Sequence, residues 1–490
     1  MDISFADIPG IPPGDTWIIF RGVEYNVVIP AMESFTMFDD TLDGAKINVC
    51  NMGNGAGERY LNPRDIILPR GYSIEVFAQG IDAPSCFTFY KETDMLIAES
   101  GFFSGKADIL RLSNGKFDVF AEGFEEPITG VCYHGGKIYV TSFGKVTVVD
   151  PGGSKEVIIE GLPNSGDYWN SNVDFGPDGK LYFGQGTATN SGVVGTDNLW
   201  VPDHPVLCDY PGAYLILRGQ NYETKNMLIG KNERVLTGAF SPYGVPNMPY
   251  EVRKGVPKAS GSILRSNPDG TELELVAWGL RYISHIKHDR FHRLFAANQG
   301  YEVRGSRPIA NAPDEFQLII PGNWYGWPDY AAGKPVDCGQ FTPEGGAKPE
   351  FIFLNPPQVP PRPFAVFPSS SYICGFDFCN DCYNFGNIGD VYITEYGGGG
   401  RAVPGVATPF LGTGHRISKI DINSGGVTTF ALNRSGFPAS VSGEGGFNRP
   451  IDLMFSPEGV MYILDMGSNN PANLSEYIPN TGVIWKVTRV

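Results

Sequence analysis

Phe175-Gly-Pro-Asp-Gly-Lys-Leu-Tyr-Phe183 is an apolar approach, a turn and an apolar departure. Pro presets one backbone angle, Asp favours turns and Gly accepts a positive φ, so the stretch predicts a tight hairpin. It returns as Phe455-Ser-Pro-Glu-Gly-Val-Met-Tyr-Ile463. Fainter versions begin at Phe87, Val131, Ile286 and Phe376, which makes six in all. Most are followed by a third strand with a basic or polar end, such as Asp108-Ile-Leu-Arg111, Ser262-Ile-Leu-Arg265 and Arg416-Ile-Ser-Lys-Ile420. A fourth often follows and ends in Gly, as in Val157-Ile-Ile-Glu-Gly161 and Leu273-Glu-Leu-Val-Ala-Trp-Gly279. Four antiparallel strands repeated radially predict an all-β, six-bladed β-propeller. The last blade stops after its third strand at the chain end, while Tyr72-Ser-Ile-Glu-Val-Phe77 precedes the first hairpin without a partner. That segment is expected to supply the missing outer strand and close the ring.

Composition agrees with a turn-dense β protein. The 490 residues include 63 Gly and 39 Pro at 42% hydrophobic content, too apolar for disorder. A net charge of −16 argues against nucleic acid and anionic membrane surfaces as partners. No apolar run is long enough to span a bilayer. The start, Met1-Asp-Ile-Ser-Phe-Ala-Asp7, lacks the basic and apolar segments of a signal peptide, which by itself reads as cytoplasmic.

Residues 1–70 do not follow the blade pattern and read as an N-terminal extension, a small β element or a partner-binding arm; residues 71–490 form the propeller. About 74 residues separate Gly186 from the third strand of its blade near Gly261, and a similar span runs from Gln299 to Gly375. Loops this long are functional more often than connective, and both are expected to rise around one mouth of the central channel. Cys374, Cys379 and Cys382 form Cys-x4-Cys-x2-Cys, which could be a disulfide, a metal site or packing. Cys86 and Cys132 lie in apolar strand positions and read as buried, inert thiols. His285, His288 and His292 straddle a hairpin and read as surface or turn histidines; His415 falls near the expected pocket rim.

Within the long loops stand, in order, Trp278-Gly-Leu-Arg281, then Asn298-Gln-Gly-Tyr-Glu-Val-Arg-Gly-Ser-Arg-Pro-Ile-Ala-Asn-Ala-Pro-Asp-Glu315, and then Gly322-Asn-Trp-Tyr-Gly-Trp-Pro-Asp-Tyr330. Gly375-Phe-Asp-Phe378 and Asn448-Arg-Pro-Ile-Asp452 follow. This ordered set resembles the glucose/sorbosone dehydrogenase family, in its L-sorbosone dehydrogenase-like branch, over residues 70–490. The resemblance implies a six-bladed propeller that oxidises a sugar or aldehyde with pyrroloquinoline quinone (PQQ) and calcium, in an extracytoplasmic setting. It implies Arg281, Arg416 and, through a loop that aligns poorly, Arg401 as cofactor contacts. It implies Gln299, Gly300, Asp314 and Glu315 as the calcium segment. The family's catalytic histidine is replaced by Tyr168, beside a matching Asp167. A phenol is about a thousandth ionised at pH 7 and is a poor base. Two other functions therefore stay open: a propeller without redox chemistry that binds a partner, and a calcium-dependent lactonase.

Overall fold

The computed structural model describes residues 14–20, 23–29, 59–91, 94–229, 233–380, 385–398, 413–470 and 473–490. The Phe175–Phe183 hairpin forms as its turn chemistry requires. Gly176 N–H donates to Lys180 C=O at 3.0 Å, Gly179 N–H donates to Gly176 C=O at 3.0 Å, and Gly179 sits at φ +71°. The same closure recurs between Ser456 and Val460 at 2.8 Å.

Six antiparallel sheets surround a central axis. Their innermost strands are Pro84–Tyr90, Gly130–His134, Asn170–Phe175, Tyr282–His288, Ile373–Phe378 and Pro450–Phe455. In the sixth sheet, Gly482–Arg489 pairs on its open side with Tyr72–Ile81, with Trp485 opposite Val76. The ring is therefore closed by the two ends of the propeller sequence. Arg59 reinforces this seam: its guanidinium lies 2.8 Å from the fully buried Asp465 carboxylate and also donates to Gly446 C=O at 2.7 Å. Ile66–Ile67 adds a fifth strand to the fifth blade, antiparallel to Leu432 and Asn433. Gly14–Phe20 and Val23–Ile29 form a separate hairpin.

Cores lie where neighbouring blades meet face to face. Phe295, Phe316, Phe376 and Phe378 fill the fourth and fifth; Tyr392, Phe430, Phe447, Leu453 and Trp485 fill the fifth and sixth. Among the described residues no helix is long and apolar enough to cross a membrane.

The second long loop differs from the sequence reading. Asp314–Ile319 is the third strand of the fourth blade, so Asp314 and Glu315 lie within a sheet, not in a loop. The chain then climbs the outer strand of the third blade, with Gly322 N–H donating to Val276 C=O at 2.7 Å and Trp327 N–H to Gly279 C=O at 2.7 Å. It joins the 186–261 insertion in a core of its own, in which Trp324 and Trp327 are buried. Cys379 is disulfide-bonded to a residue outside the described ones, and Cys374 is a free, buried thiol. Cys382 lies outside the described residues.

Trp485 is wholly buried at the closing seam. Trp485→Ala is expected to lower the unfolding free energy by about 3–5 kcal/mol through the cavity it leaves. Urea denaturation measures this, and a loss below about 1 kcal/mol would show that the seam does not carry ring stability.

Candidate functional site

All six innermost strands or their leading loops border one cavity of about 350 Å³ on the axis. Regular strands point alternate residues away from the axis. Here five of the six innermost strands break that rule at one level. Their registers slip between Pro84 and Cys86, Asn170 and Val173, Ile283 and His285, Ile373 and Phe376, and Pro450 and Asp452. A β-bulge sets two residues against one and re-aims side chains. As a result consecutive pairs line the cavity, among them Ser85–Cys86, Asn170–Ser171, Ser284–His285 and Ile451–Asp452. Gly375 completes this collar because a Cβ there would lie 2.1 Å from Asp452 Oδ1.

Above the collar the mouth is aromatic. Phe102 meets Trp169 edge-on at 5.3 Å, and Tyr168 stacks on Tyr282 at 5.0 Å. The Tyr168 hydroxyl accepts hydrogen bonds from Arg281 and from Arg304 (2.8 Å) and donates to Glu302 Oε2 at 3.1 Å. The Arg281 guanidinium also covers the Tyr168 ring at 4.3 Å. Arg304 reaches Glu302 at 2.6 Å, Asp197 at 2.6 Å and Asp167 at 2.7 Å. Tyr372 donates to Glu302 Oε1 at 2.9 Å. Asp167 further accepts from Trp200 Nε1 at 2.9 Å.

This network decides the protonation states. Burial pushes the Tyr168 phenol well above its ordinary value, against the opposing pull of Arg281 and Arg304. Its hydroxyl donates to Glu302 Oε2. Burial would raise the Glu302 carboxyl as well, but the guanidiniums of Arg304 and Arg281 hold it down to about 2.

Asp167, Tyr168 and Arg281 thus come together as the sequence suggests, while the other candidates disperse. Gln299 lines the cavity. Gly300 donates its N–H to Asp314 Oδ1 at 2.8 Å, and Ile373 N–H donates to the other oxygen at 3.2 Å. Glu315 accepts from Asn298 (3.1 Å), Gln317 (2.9 Å) and Ala332 N–H (2.5 Å). Arg416 opens the third strand of the fifth blade, where its Nε donates to Gly414 C=O at 2.9 Å, and it does not border the cavity. Arg401 lies outside the described residues. His415 is buried with Nδ1 2.8 Å from Asn448 C=O, and it does not border the cavity either.

His285 corrects its reading as a surface or turn histidine, because it faces the channel. His288 pairs with Asp174 at 2.7 Å, and His292 occupies the exposed turn. The apolar pattern held a clue. Ile283 and Ile286 are both wholly buried three residues apart, and the register slips between Ile283 and His285. Glu302 and Arg304 stand inside a segment the sequence singles out, yet nothing local foretells that they converge on Tyr168.

The donor set can be compared with the groups the resemblance implies. PQQ is a tricarboxylate and needs facing cations. Among the described residues no Lys or Arg borders the cavity, and the carboxyl groups that do are Asp167, Glu302 and Asp452. Arg281 and Arg304 stand behind Tyr168: Arg304 is held by Glu302, Asp167 and Asp197, and Arg281 by Glu302 and Asn190. Among the described residues the wall offers no cation to the carboxylates of this cofactor. Calcium seeks six to eight oxygens. Asp314 and Glu315 project to opposite faces of their sheet, both are occupied by N–H donors, and among the described residues no three His, Cys, Asp or Glu side chains gather as a metal site.

Against solved structures, the chain is similar to a carbohydrate-active enzyme of family AA12 from Trichoderma reesei. The identity is 15%, with 89% of this chain and 100% of that chain covered, at a TM-score of 0.52. It is similar to the holo form of the pyranose dehydrogenase PQQ domain from Coprinopsis cinerea, at 13% identity, 89% and 99% coverage and a TM-score of 0.52. It is also similar to a glucose dehydrogenase, at 13% identity, 85% and 100% coverage and a TM-score of 0.52. No protein-family model and no curated protein matches the chain. The chain has the six-bladed propeller fold on which sugar dehydrogenases are built.

Glu302 has its folded-state carboxyl held below its unfolded value, so its contribution to stability is complete above about pH 4.5 and is lost as pH falls toward 2. The acid-unfolding curve of the protein is expected to steepen in that window. Glu302→Gln should flatten it, as read by circular dichroism, and parallel curves for the two proteins would contradict the assignment.

Proposed function

We propose that this propeller binds a neutral, polyhydroxylated small molecule of the sugar class in its central channel, and that it does so without PQQ or calcium. The observation that carries this reading is the wall chemistry: aromatic faces and polar groups at the mouth, where the Asp167 and Glu302 carboxylates are paired with Arg304, and no cation exposed to the cavity among the described residues. The volume, about 350 Å³, suits a monosaccharide. Phe102, Trp169 and Tyr282 offer π faces to the C–H faces of a sugar ring. Gln299, Glu302 and Ser284 offer hydrogen-bonding groups around them. The Arg281–Glu302–Arg304 network holds Tyr168 and Glu302 in place and neutralises the wall, so a neutral ligand loses little solvation energy against it. Fold similarity to sugar dehydrogenases supports the ligand class, whereas the raised Tyr168 phenol and the lack of a cavity-facing cation among the described residues weigh against hydride transfer to a quinone.

Equilibrium dialysis with PQQ and calcium, together with dye reduction over an aldose panel, tests the cofactor half. No saturable binding at tens of micromolar and no reduction are expected, for the native chain and for Tyr168→His alike. Saturable PQQ binding with sugar-dependent dye reduction would restore the dehydrogenase reading, with Arg401 as the cation to mutate first. Intrinsic fluorescence tests the ligand half: an aldose or polyol is expected to change the emission, and Trp169→Phe should remove that change.

A further inference from the structure

Among the polar cavity-lining side chains with no hydrogen-bond partner among the described residues, His285 is the one at the bulge collar. At the bulge collar, hydroxyls and thiols already have partners. Ser284 Oγ donates to Ile373 C=O at 2.7 Å, and Cys374 Sγ lies 3.3 Å from Tyr372 C=O. Asp452 accepts N–H donors from Leu453 at 2.9 Å and Phe87 at 3.2 Å, and burial pushes its carboxyl up to about 7. His285 is different. No group among the described residues hydrogen-bonds to either of its ring nitrogens, and its one ring contact is the edge of Phe376 at 5.0 Å. Burial, and then Lys287, pushes its imidazole down to about 3, so at neutral pH it presents one N–H and one lone pair. His285 lines the cavity, and the bulge between Ile283 and His285 is what turns it inward.

We propose that the collar is a second recognition level below the aromatic mouth, at which His285 hydrogen-bonds a hydroxyl of the channel ligand and so selects among sugars. This rests on the channel being a sugar site. A hydroxyl is the matching group because it donates and accepts at once, as a neutral imidazole does. An anionic ligand end would meet Asp452 and Glu302 in the same cavity.

The test compares the native protein, His285→Ala and His285→Gln against glucose, galactose, mannose and their monodeoxy derivatives by isothermal titration calorimetry. Unfolding midpoints are measured in parallel. The bound parent sugar is expected to weaken about tenfold in His285→Ala, the worth of one hydrogen bond. One monodeoxy sugar should bind the native protein about tenfold more weakly than its parent, and should bind the native protein and His285→Ala equally. His285→Gln, which keeps a donor and an acceptor, should recover part of the loss; it also serves alone if the alanine variant does not fold. Equal affinity of native and variant proteins for every sugar overturns the collar and leaves the mouth standing. A variant that weakens parent and deoxy sugars alike marks a structural histidine and overturns it too. If the native protein binds no sugar of the panel, both levels fall.

Discussion

The antiparallel seam between Tyr72–Ile81 and Gly482–Arg489 is the constraint on which everything else depends. A propeller with an open seam has two free sheet edges, and its inner strands need not share an axis. Closure sets six inner strands around one channel, and only then can bulges in separate blades fall at a common level. Arg59 is placed to defend that seam. It ties residues just before the closing strand to Asp465 of the last blade, a carboxylate that also accepts N–H groups from Asn448 and Arg449. Breaking such a buried pair would leave an unpaired charge, which costs far more than the pair gains over apolar packing.

The channel wall shows how a chain satisfies its own charges beside a cavity. Arg281 and Arg304 are positioned near the mouth, where cations could serve an anionic cofactor. Each is instead consumed by carboxylates of the chain: Glu302 for both, with Asp167 and Asp197 for Arg304. Tyr168 closes the network by accepting from the two guanidiniums and donating to Glu302. Burial raises the Tyr168 phenol within that network. Asp167 and Glu302 face the axis paired with guanidiniums, beside aromatic and neutral polar groups.

The fold was legible because its signals are local and repeated. Each Gly-containing turn states its own geometry, and the spare strand near Tyr72 states how the ring ends. The site was legible only in part. Asp167, Tyr168 and Arg281 could be located by motif, since they sit at the top of successive blades. Asp314 and Glu315 could not be placed correctly, because a polar pair reads as a loop until Gly300, Ile373 and Asn298 are seen to satisfy it. His285 was misplaced for a similar reason: strand alternation is an average, and the bulge that breaks it depends on the register of Ile283 and Ile286 against the neighbouring strand.

The sequence by itself determined six hairpins, a ring closed by its own ends, and a cluster of long loops at one mouth, because turn chemistry and strand period act over a few residues. Only the tertiary structure decided which side chains face the axis and which arginines are already paired. Those facts arise from contacts between residues more than a hundred positions apart, such as Tyr168 with Arg281 and Glu302, and no local pattern encodes them.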